Sequence, residues 1–581
     1  MTPAAEHPGA APESITDLPA TPDAFARATW DEIAPYYDRL ENANLSLENA
    51  GAWLSEWSRL EELVGEAGTQ SMIAYTGDTA DAENEAAYLR FSSEIFPRID
   101  ERHVRLARRV LVLGFQRPDL ETVLAEWRTD SEIFRAENVA LFSEIEELSA
   151  RYQKITGTLS VDFDGELKTI PELQPYLKLA DRSLRERAYL ARDRAYLTVR
   201  TELSDVFDRM LELRNAVARN ADFENYHEYV FKSKHRFEYT PADCARFHTA
   251  VEATVVPAVE RLLAYRRQRL GVDSVRPWDL GVDPDNAQPL APFTDVSDFV
   301  SRARGVFTRL DAELGAQFGI MASESLLDLA SRPGKAPGGY CTKLSFRRRP
   351  FIFMNAVGVP DDVATLMHEA GHCFHAFLGG AHPFIWQRGT GSEAAELASM
   401  TMELFAAPLL AKPEGYYAPD DLRRARIEHL EDVLFSLAHI ASVDAFQAWI
   451  YSHPEARDRD ARDEAWLEIR ARFERGIDWS GLELERAARW YRQLHIFEDP
   501  FYYIEYGIAQ LGALQIWRES LRDPAGAVAR YKGALALGGT RSLREIYSAA
   551  GAELTFDAVE MGQLVAVVES VIGELRGQAR R

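Results

Sequence analysis

The residues with the clearest potential for chemistry are His368, Glu369 and His372, which form an H-E-x-x-H motif. Histidines four residues apart lie one above the other on the same face of an α-helix. Their imidazole nitrogens can therefore bind one metal ion, and Glu369 lies beside that ion, where it can take a proton from water. The motif predicts a zinc-dependent hydrolase, most often a peptidase.

The motif lies in a segment, residues 363–378, whose apolar residues recur with helical periodicity. Asp361 and Asp362 precede this segment, and acidic residues stabilise a helix N-terminus. A charged glutamate on a largely apolar helix is costly to bury without a partner, and a bound cation removes that cost. Cys373 follows His372 directly, so the helix turns its side chain about 100° away, and we predict a core residue.

A catalytic zinc site needs a third protein ligand. The next predicted helix follows the turn Gly389–Gly391, with Ser392 as its expected N-cap, and carries Glu393, Glu396 and Glu403 along one stripe. Periodicity alone does not choose among the three, although small apolar neighbours favour Glu396 as the ligand. Glu393 is expected to be an exposed acid of the first turn, and Glu403 a partner that orients a ligand histidine.

Several segments together resemble a known family. They are Pro337–Thr342, Arg349–Asn355, the H-E-x-x-H helix and the pattern E-x-x-S-x-x-x-E, which begins at Glu396. In these segments the chain resembles the oligoendopeptidase F type of zinc peptidase, a relative of thimet oligopeptidase, over about residues 25–575. The resemblance implies that Glu396 is the third ligand and that each chain binds one Zn²⁺ through His368, His372 and Glu396.

Peptide hydrolysis also needs donors for the oxyanion that forms at the attacked carbonyl. Residues 495–507 concentrate histidine and tyrosine. The resemblance implies that His495, Tyr503 and Tyr506 are catalytic donors, and we expect Tyr502 to contact substrate. His375 lies three residues after His372 and is expected in the outer shell of the site or in the core. Four further histidines have no evident partner in the sequence and are predicted to be structural: His382, His429, His439 and His453.

The apolar run Phe351–Asn355, which precedes the motif helix, has the composition of a strand. We predict an edge strand that pairs with the substrate backbone, with Phe353 and Asn355 as substrate contacts. Gly338 and Gly339 are expected to form a flexible loop that also contacts substrate. The family resemblance implies two helical lobes around a deep central channel, which admits short unfolded peptides.

Helical periodicity dominates the chain, so the predicted fold is mainly α, with a small β-sheet near the active site. Residues 1–20 are rich in Ala and Pro and are predicted to be a disordered tail. An N-terminal helical domain is expected over residues 21–195, with an Asp-Gly β-hairpin near residues 159–170. The catalytic domain is expected over residues 196–581.

The formal net charge of −25 argues against nucleic acid or an anionic membrane as a partner. Three cysteines in 581 residues do not form a disulfide framework, and no signal peptide or apolar run of membrane-spanning length is visible. These features predict a cytoplasmic protein, and the family resemblance implies short peptides as its partners. Nothing in the sequence specifies an oligomeric state.

Two other functions share the motif. One is an exopeptidase, either a helical zinc carboxypeptidase or a dipeptidyl-carboxypeptidase. The other is a non-catalytic peptide-binding protein with a structural metal site. Glu369 speaks against the second alternative, because a purely structural zinc site has no use for a general base.

Overall fold

The computed structural model describes residues 17–578, so most of the predicted N-terminal tail lies outside the described residues. The chain is mainly helical, as predicted. The helices of its first half are α1 (Trp30–Asn42), α2 (Ala50–Gly77), α3 (Ala82–Leu89), α4 (Phe96–Leu113), α5 (Glu121–Ile133), α6 (Ala136–Gly157), α7 (Arg182–Thr198), α8 (Arg200–Asn220), α9 (Tyr226–Ser233), α10 (Pro241–Leu270), α11 (Val296–Leu310) and α12 (Ala312–Ser323).

The second half adds ten helices within the described range. They are α13 (Pro360–Gly379), α14 (Ser392–Ala406), α15 (Pro419–Ser452), α16 (Arg459–Phe473), α17 (Glu483–Ala487), α18 (Leu494–Phe497), α19 (Tyr503–Ser520), α20 (Pro524–Leu535), α21 (Leu543–Ala550) and α22 (Ala558–Gln578). The H-E-x-x-H motif is therefore on α13, and the three candidate glutamates are on α14. Helix α14 begins at Ser392 itself, so the predicted N-cap is one residue too late, and Gly391 takes that position.

Within residues 17–578, five strands form two small sheets. The predicted hairpin is confirmed as β1 (Ser160–Phe163) and β2 (Glu166–Thr169), joined through Asp164 and Gly165 at positive φ. The second sheet contains β3 (Leu327–Ala330), β4 (Tyr340–Leu344) and β5 (Arg349–Ala356) in the order β3-β5-β4. Strand β5 runs parallel to β3 and antiparallel to β4, so it is the central strand.

The start of α13 is held firmly to the end of β5. The Asp362 carboxylate accepts backbone N–H groups from Val357, Gly358 and Val359 at 2.8–3.0 Å. Pro360 occupies the first helical position, where a missing N–H costs nothing. These contacts determine how the helix leaves the sheet and therefore where its histidines lie.

The buried apolar residues form three large clusters. One lies within residues 25–127, apart from Phe384. The second joins α6, α8 and α9 to the end of α15 and to residues 488–501, so it draws on both sides of residue 195. The largest surrounds α13, α14 and α19. The domain boundary at residue 195 stays a prediction.

Helix α15 is the one described helix that is long and apolar enough to cross a membrane by length and composition. Within its most apolar window, 72% is buried inside the protein. Its apolar residues therefore pack in the protein core, as in the central helix of a large helical domain.

Candidate metal centre

Helices α13 and α14 bring His368, His372 and Glu396 together. One nitrogen of each histidine and one carboxylate oxygen of Glu396 all lie within 4.8 Å of one another. The Glu396 Oε2 atom is 3.3 Å from His368 Nε2 and 3.9 Å from His372 Nε2. Two imidazoles and one carboxylate are a donor set typical of catalytic zinc. The three predicted ligands therefore converge on a single point.

Glu403 and His429 support the first ligand. Glu403 Oε1 lies 2.7 Å from His368 Nδ1, so its carboxylate holds the ring with Nε2 turned toward Glu396. The other oxygen of Glu403 lies 3.0 Å from His429 Nε2 on α15. His429 has no evident partner in the sequence because α15, which carries it to Glu403, is distant from α14 in the chain.

The carboxylates around His368 set the charges of the centre. Burial favours neutral His368, but hydrogen bonds to Glu396 and Glu403 outweigh it and raise the pKa of the imidazole well above its ordinary value. Burial also favours neutral Glu403, but the bonds to His368 and His429 hold the pKa of its carboxyl at about 2. The hydrogen bond between Glu403 and His368 contributes to both shifts.

Glu369 lies on α13 between the two histidines and is 9% exposed. Burial raises the pKa of its carboxyl to about 7. The backbone N–H of Cys341 on β4 interacts with this carboxylate and partly opposes the shift. A carboxylate with a pKa near neutrality can both accept and return a proton at physiological pH.

Gly371 allows α13 and α14 to approach closely. A Cβ atom at this position would lie 2.5 Å from Ser399 Cα and 2.7 Å from the Ala398 carbonyl oxygen. Both neighbours are backbone atoms and cannot move aside as a side chain can. The glycine inside the motif therefore determines how near Glu396 comes to the histidines.

The tyrosine cluster lies across the centre from α13. The Tyr502 hydroxyl donates to Glu396 Oε1 at 2.8 Å, whereas the Tyr503 hydroxyl donates to Gln493 at 3.1 Å. The Tyr506 ring packs edge-on against Tyr502, with ring centroids 4.9 Å apart. Burial and the nearby Glu396 carboxylate raise the pKa of the Tyr506 hydroxyl, so it remains a protonated donor.

His495 belongs to the same cluster. Its ring stacks on Tyr502 at 5.2 Å and meets Tyr506 edge-on at 5.9 Å. Burial lowers the pKa of its imidazole, which favours the neutral ring at pH 7. Arg214, fully buried on α8, donates to the carbonyl oxygens of Ile496 and Phe497 and so fixes the backbone next to His495. The sequence motifs alone do not reveal this positioning role of Arg214.

The sequence profile described as peptidase family M3 matches residues 176–559, which is more than half of the chain. The chain belongs to peptidase family M3. This M3 chain is 22% identical to oligopeptidase PepF of Bacillus subtilis over 305 residues, or 52% of its length. It is 25% identical to the chromosomal oligoendopeptidase F of Lactococcus lactis subsp. cremoris over 158 residues, or 27% of its length.

These matches span less than half of each curated relative, 44% and 25% of their lengths. The likeness in three dimensions is more extensive. The solved structure of PZ peptidase A with an inhibitor is 26% identical to this chain and superposes with a TM-score of 0.87. The superposition covers 94% of this chain and 98% of PZ peptidase A. The resemblance to oligoendopeptidase F and the mainly helical, two-lobed fold are confirmed.

The strand at Phe351–Asn355, which the sequence predicts to pair with substrate, does not lie at the edge of its sheet. Residues Phe351–Asn355 lie in central β5, which is paired on both sides, so they cannot form the predicted edge. Phe353 is 1% exposed and stacks on Tyr340 at 4.9 Å, which excludes the predicted contact of its side chain with substrate. Asn355 instead donates to the carbonyl oxygens of Ala336 and Gly338 and holds the loop before β4.

Glu393 also differs from its prediction as an exposed acid of the first turn. It is 5% exposed and accepts a hydrogen bond of 2.6 Å from the Tyr239 hydroxyl. Gly338 and Gly339 are exposed immediately before β4, in a loop next to a strand with one free edge within the described sheet. Their contact with substrate stays a prediction.

Proposed function

We propose that the chain is a zinc-dependent endopeptidase that cleaves short unfolded peptides. The observation that carries this proposal is the convergence of His368, His372 and Glu396 within 4.8 Å. The buried Glu369 follows His368 directly in the chain. The donor set suits Zn²⁺, because imidazole and carboxylate are its usual ligands at catalytic sites. Membership of peptidase family M3 supports the reaction class.

A bound zinc ion supplies a Lewis acid that acidifies water and polarises the scissile carbonyl. Glu369 acts as general base toward the attacking water, and its carboxyl then returns the proton to the leaving amine. The Cys341 N–H helps to hold this carboxylate in place. Glu403 keeps the Nε2 atom of His368 available as a ligand, because it occupies Nδ1.

Tyr506 and His495 are the proposed donors to the developing oxyanion. The Tyr506 hydroxyl is held protonated by burial and by Glu396, so it is able to donate a hydrogen bond. Tyr503 is the weaker candidate, because its hydroxyl already donates to Gln493. Tyr502 is bonded to Glu396 and therefore orients the third ligand as well as lying near the substrate.

We place the substrate backbone along β4 rather than β5. Strand β4 lies at the edge of its sheet, and its Cys341 N–H interacts with Glu369. An extended peptide added to this edge would pass directly beside the general base. The location we propose is cytoplasmic, since all three cysteines are free thiols.

The test combines metal analysis with a peptidase assay on the purified full-length protein. We expect about one zinc per chain and cleavage of an internally quenched peptide, lost on chelation and restored by Zn²⁺. Amidation of the peptide C-terminus separates the alternatives, because an endopeptidase tolerates it and a carboxypeptidase does not. Metal-free protein with full activity would overturn the proposal.

A further inference from the structure

Two thiols lie beside the metal centre and take no part in the proposed hydrolysis. Cys341 Sγ on β4 and Cys373 Sγ on α13 are 3.4 Å apart, and neither is in a disulfide. Cys341 is partly exposed, whereas Cys373 is 0% exposed. The third cysteine, Cys244 on α10, is buried elsewhere and offers an internal control.

The placement of the pair suits bond formation. A disulfide joins sulfur atoms about 2.0 Å apart, so these two need to approach by about 1.4 Å. Cys341 is on β4, which pairs with one strand only in its described sheet, so fewer backbone hydrogen bonds hold it than hold a central strand. Cys373 is fixed inside α13, so the strand is the element that moves.

We propose that Cys341 and Cys373 form a peroxide-reactive dithiol site whose disulfide switches off the metal centre. The sulfur of the partly exposed Cys341 attacks one oxygen of hydrogen peroxide, which gives a sulfenic acid and one water. The Cys373 sulfur then displaces the hydroxyl of that sulfenic acid, which forms the S–S bond and releases a second water. The two thiols together lose two electrons and two protons, and the peroxide is reduced to water.

Both cysteines of the proposed disulfide lie next to groups of the metal centre. The residue that reacts first, Cys341, also provides the backbone N–H that interacts with the Glu369 carboxylate. Cys373 follows His372 in the chain. A shift of β4 toward α13 therefore changes the position of the general base relative to the ligands, and a displacement of about 1 Å at a catalytic group can cost roughly 100-fold in rate.

The test uses reduced, zinc-loaded, full-length protein treated with hydrogen peroxide. We expect the loss of two of its three thiols, a Cys341–Cys373 linked peptide in a non-reducing digest, and a mass lower by two hydrogens. Activity on a quenched peptide should fall at least roughly tenfold and recover with a phosphine reductant. The thiol and mass measurements are independent of the proposed peptidase function, whereas the activity measurement depends on it.

Three variants complete the test. Cys244→Ser should form the same link and lose activity in the same way, whereas Cys341→Ser and Cys373→Ser should form no link and resist inactivation. Oxidation of wild-type protein to sulfinic acid without a linked peptide would overturn the disulfide. A linked protein that retains full activity would overturn its control of the centre.

Discussion

The centre depends on residues that do not bind the metal themselves. Glu403 bridges His368 and His429, and these three side chains come from α13, α14 and α15. The place of Glu403 follows from its position on the α14 stripe. The contact of His429 with Glu403 cannot be predicted in this way, because the sequence does not show which distant helix packs against α14.

Glu403→Gln tests this support. The amide is close to the carboxylate in size but carries no charge to hold the His368 ring, so we expect zinc affinity to fall by roughly 10–100-fold. Competition with a chelator of known affinity measures the change. Glu414→Gln, at an exposed position, is the control and should bind zinc as the wild type does. Equal affinities in both variants would contradict this role.

Tyr506 and Tyr503 form a matched pair for the oxyanion donor. Tyr506→Phe removes the proposed donor, so we expect kcat to fall by roughly 100-fold with unchanged zinc content. Tyr503→Phe removes a hydroxyl already bonded to Gln493 and should reduce kcat much less. Steady-state kinetics on one quenched peptide compare the two variants. The reverse order of effects would move the donor role to Tyr503.

At the scale of elements, local patterns predict some features and not others. The H-E-x-x-H helix, the Asp-Gly hairpin and the strand at residues 351–355 each have a local signal and are present. The central position of β5 has no such signal, because it depends on which strands pair with it and β3 comes from beyond a loop. The burial of Glu393 likewise depends on Tyr239, which is distant in sequence.

The contact between α13 and α14 can be tested at Gly371. Gly371→Ala places a methyl group against the backbone of Ser399, so we expect a loss of roughly 1–3 kcal/mol in the free energy of unfolding and weaker zinc binding. Gly533→Ala in α20 meets no atom within 4 Å and should be neutral or stabilising by up to about 1 kcal/mol. Urea unfolding measures both. Equal stability of the two variants would show that the helices have room to separate.

At the scale of the whole molecule, the fold is mainly helical and two-lobed. The second apolar cluster joins α6, α8 and α9 to the segment that precedes the tyrosines, so this cluster is built from both halves of the chain. A sequence cannot reveal such a cluster in advance, because it is defined by contacts between residues several hundred positions apart. The fold class, in contrast, follows from periodicity alone.

The deep central channel that the family resemblance implies predicts selection by substrate size. We expect efficient cleavage of short flexible peptides, a decline as peptide length increases, and no cleavage of a stably folded protein that contains the same sequence. A length series with one constant scissile bond, followed by mass spectrometry, measures this. The unfolded form of the same protein is the control, and rapid cleavage of its folded form would contradict an enclosed site.

The central claim is that Glu369 acts as the base at a metal held by His368, His372 and Glu396. The most direct measurement is kcat for Glu369→Gln together with its zinc content. We predict unchanged zinc and a fall in kcat of roughly 10²–10⁴-fold, because the amide binds nothing new and cannot accept the proton. Near wild-type kcat in the zinc-loaded variant would contradict the account.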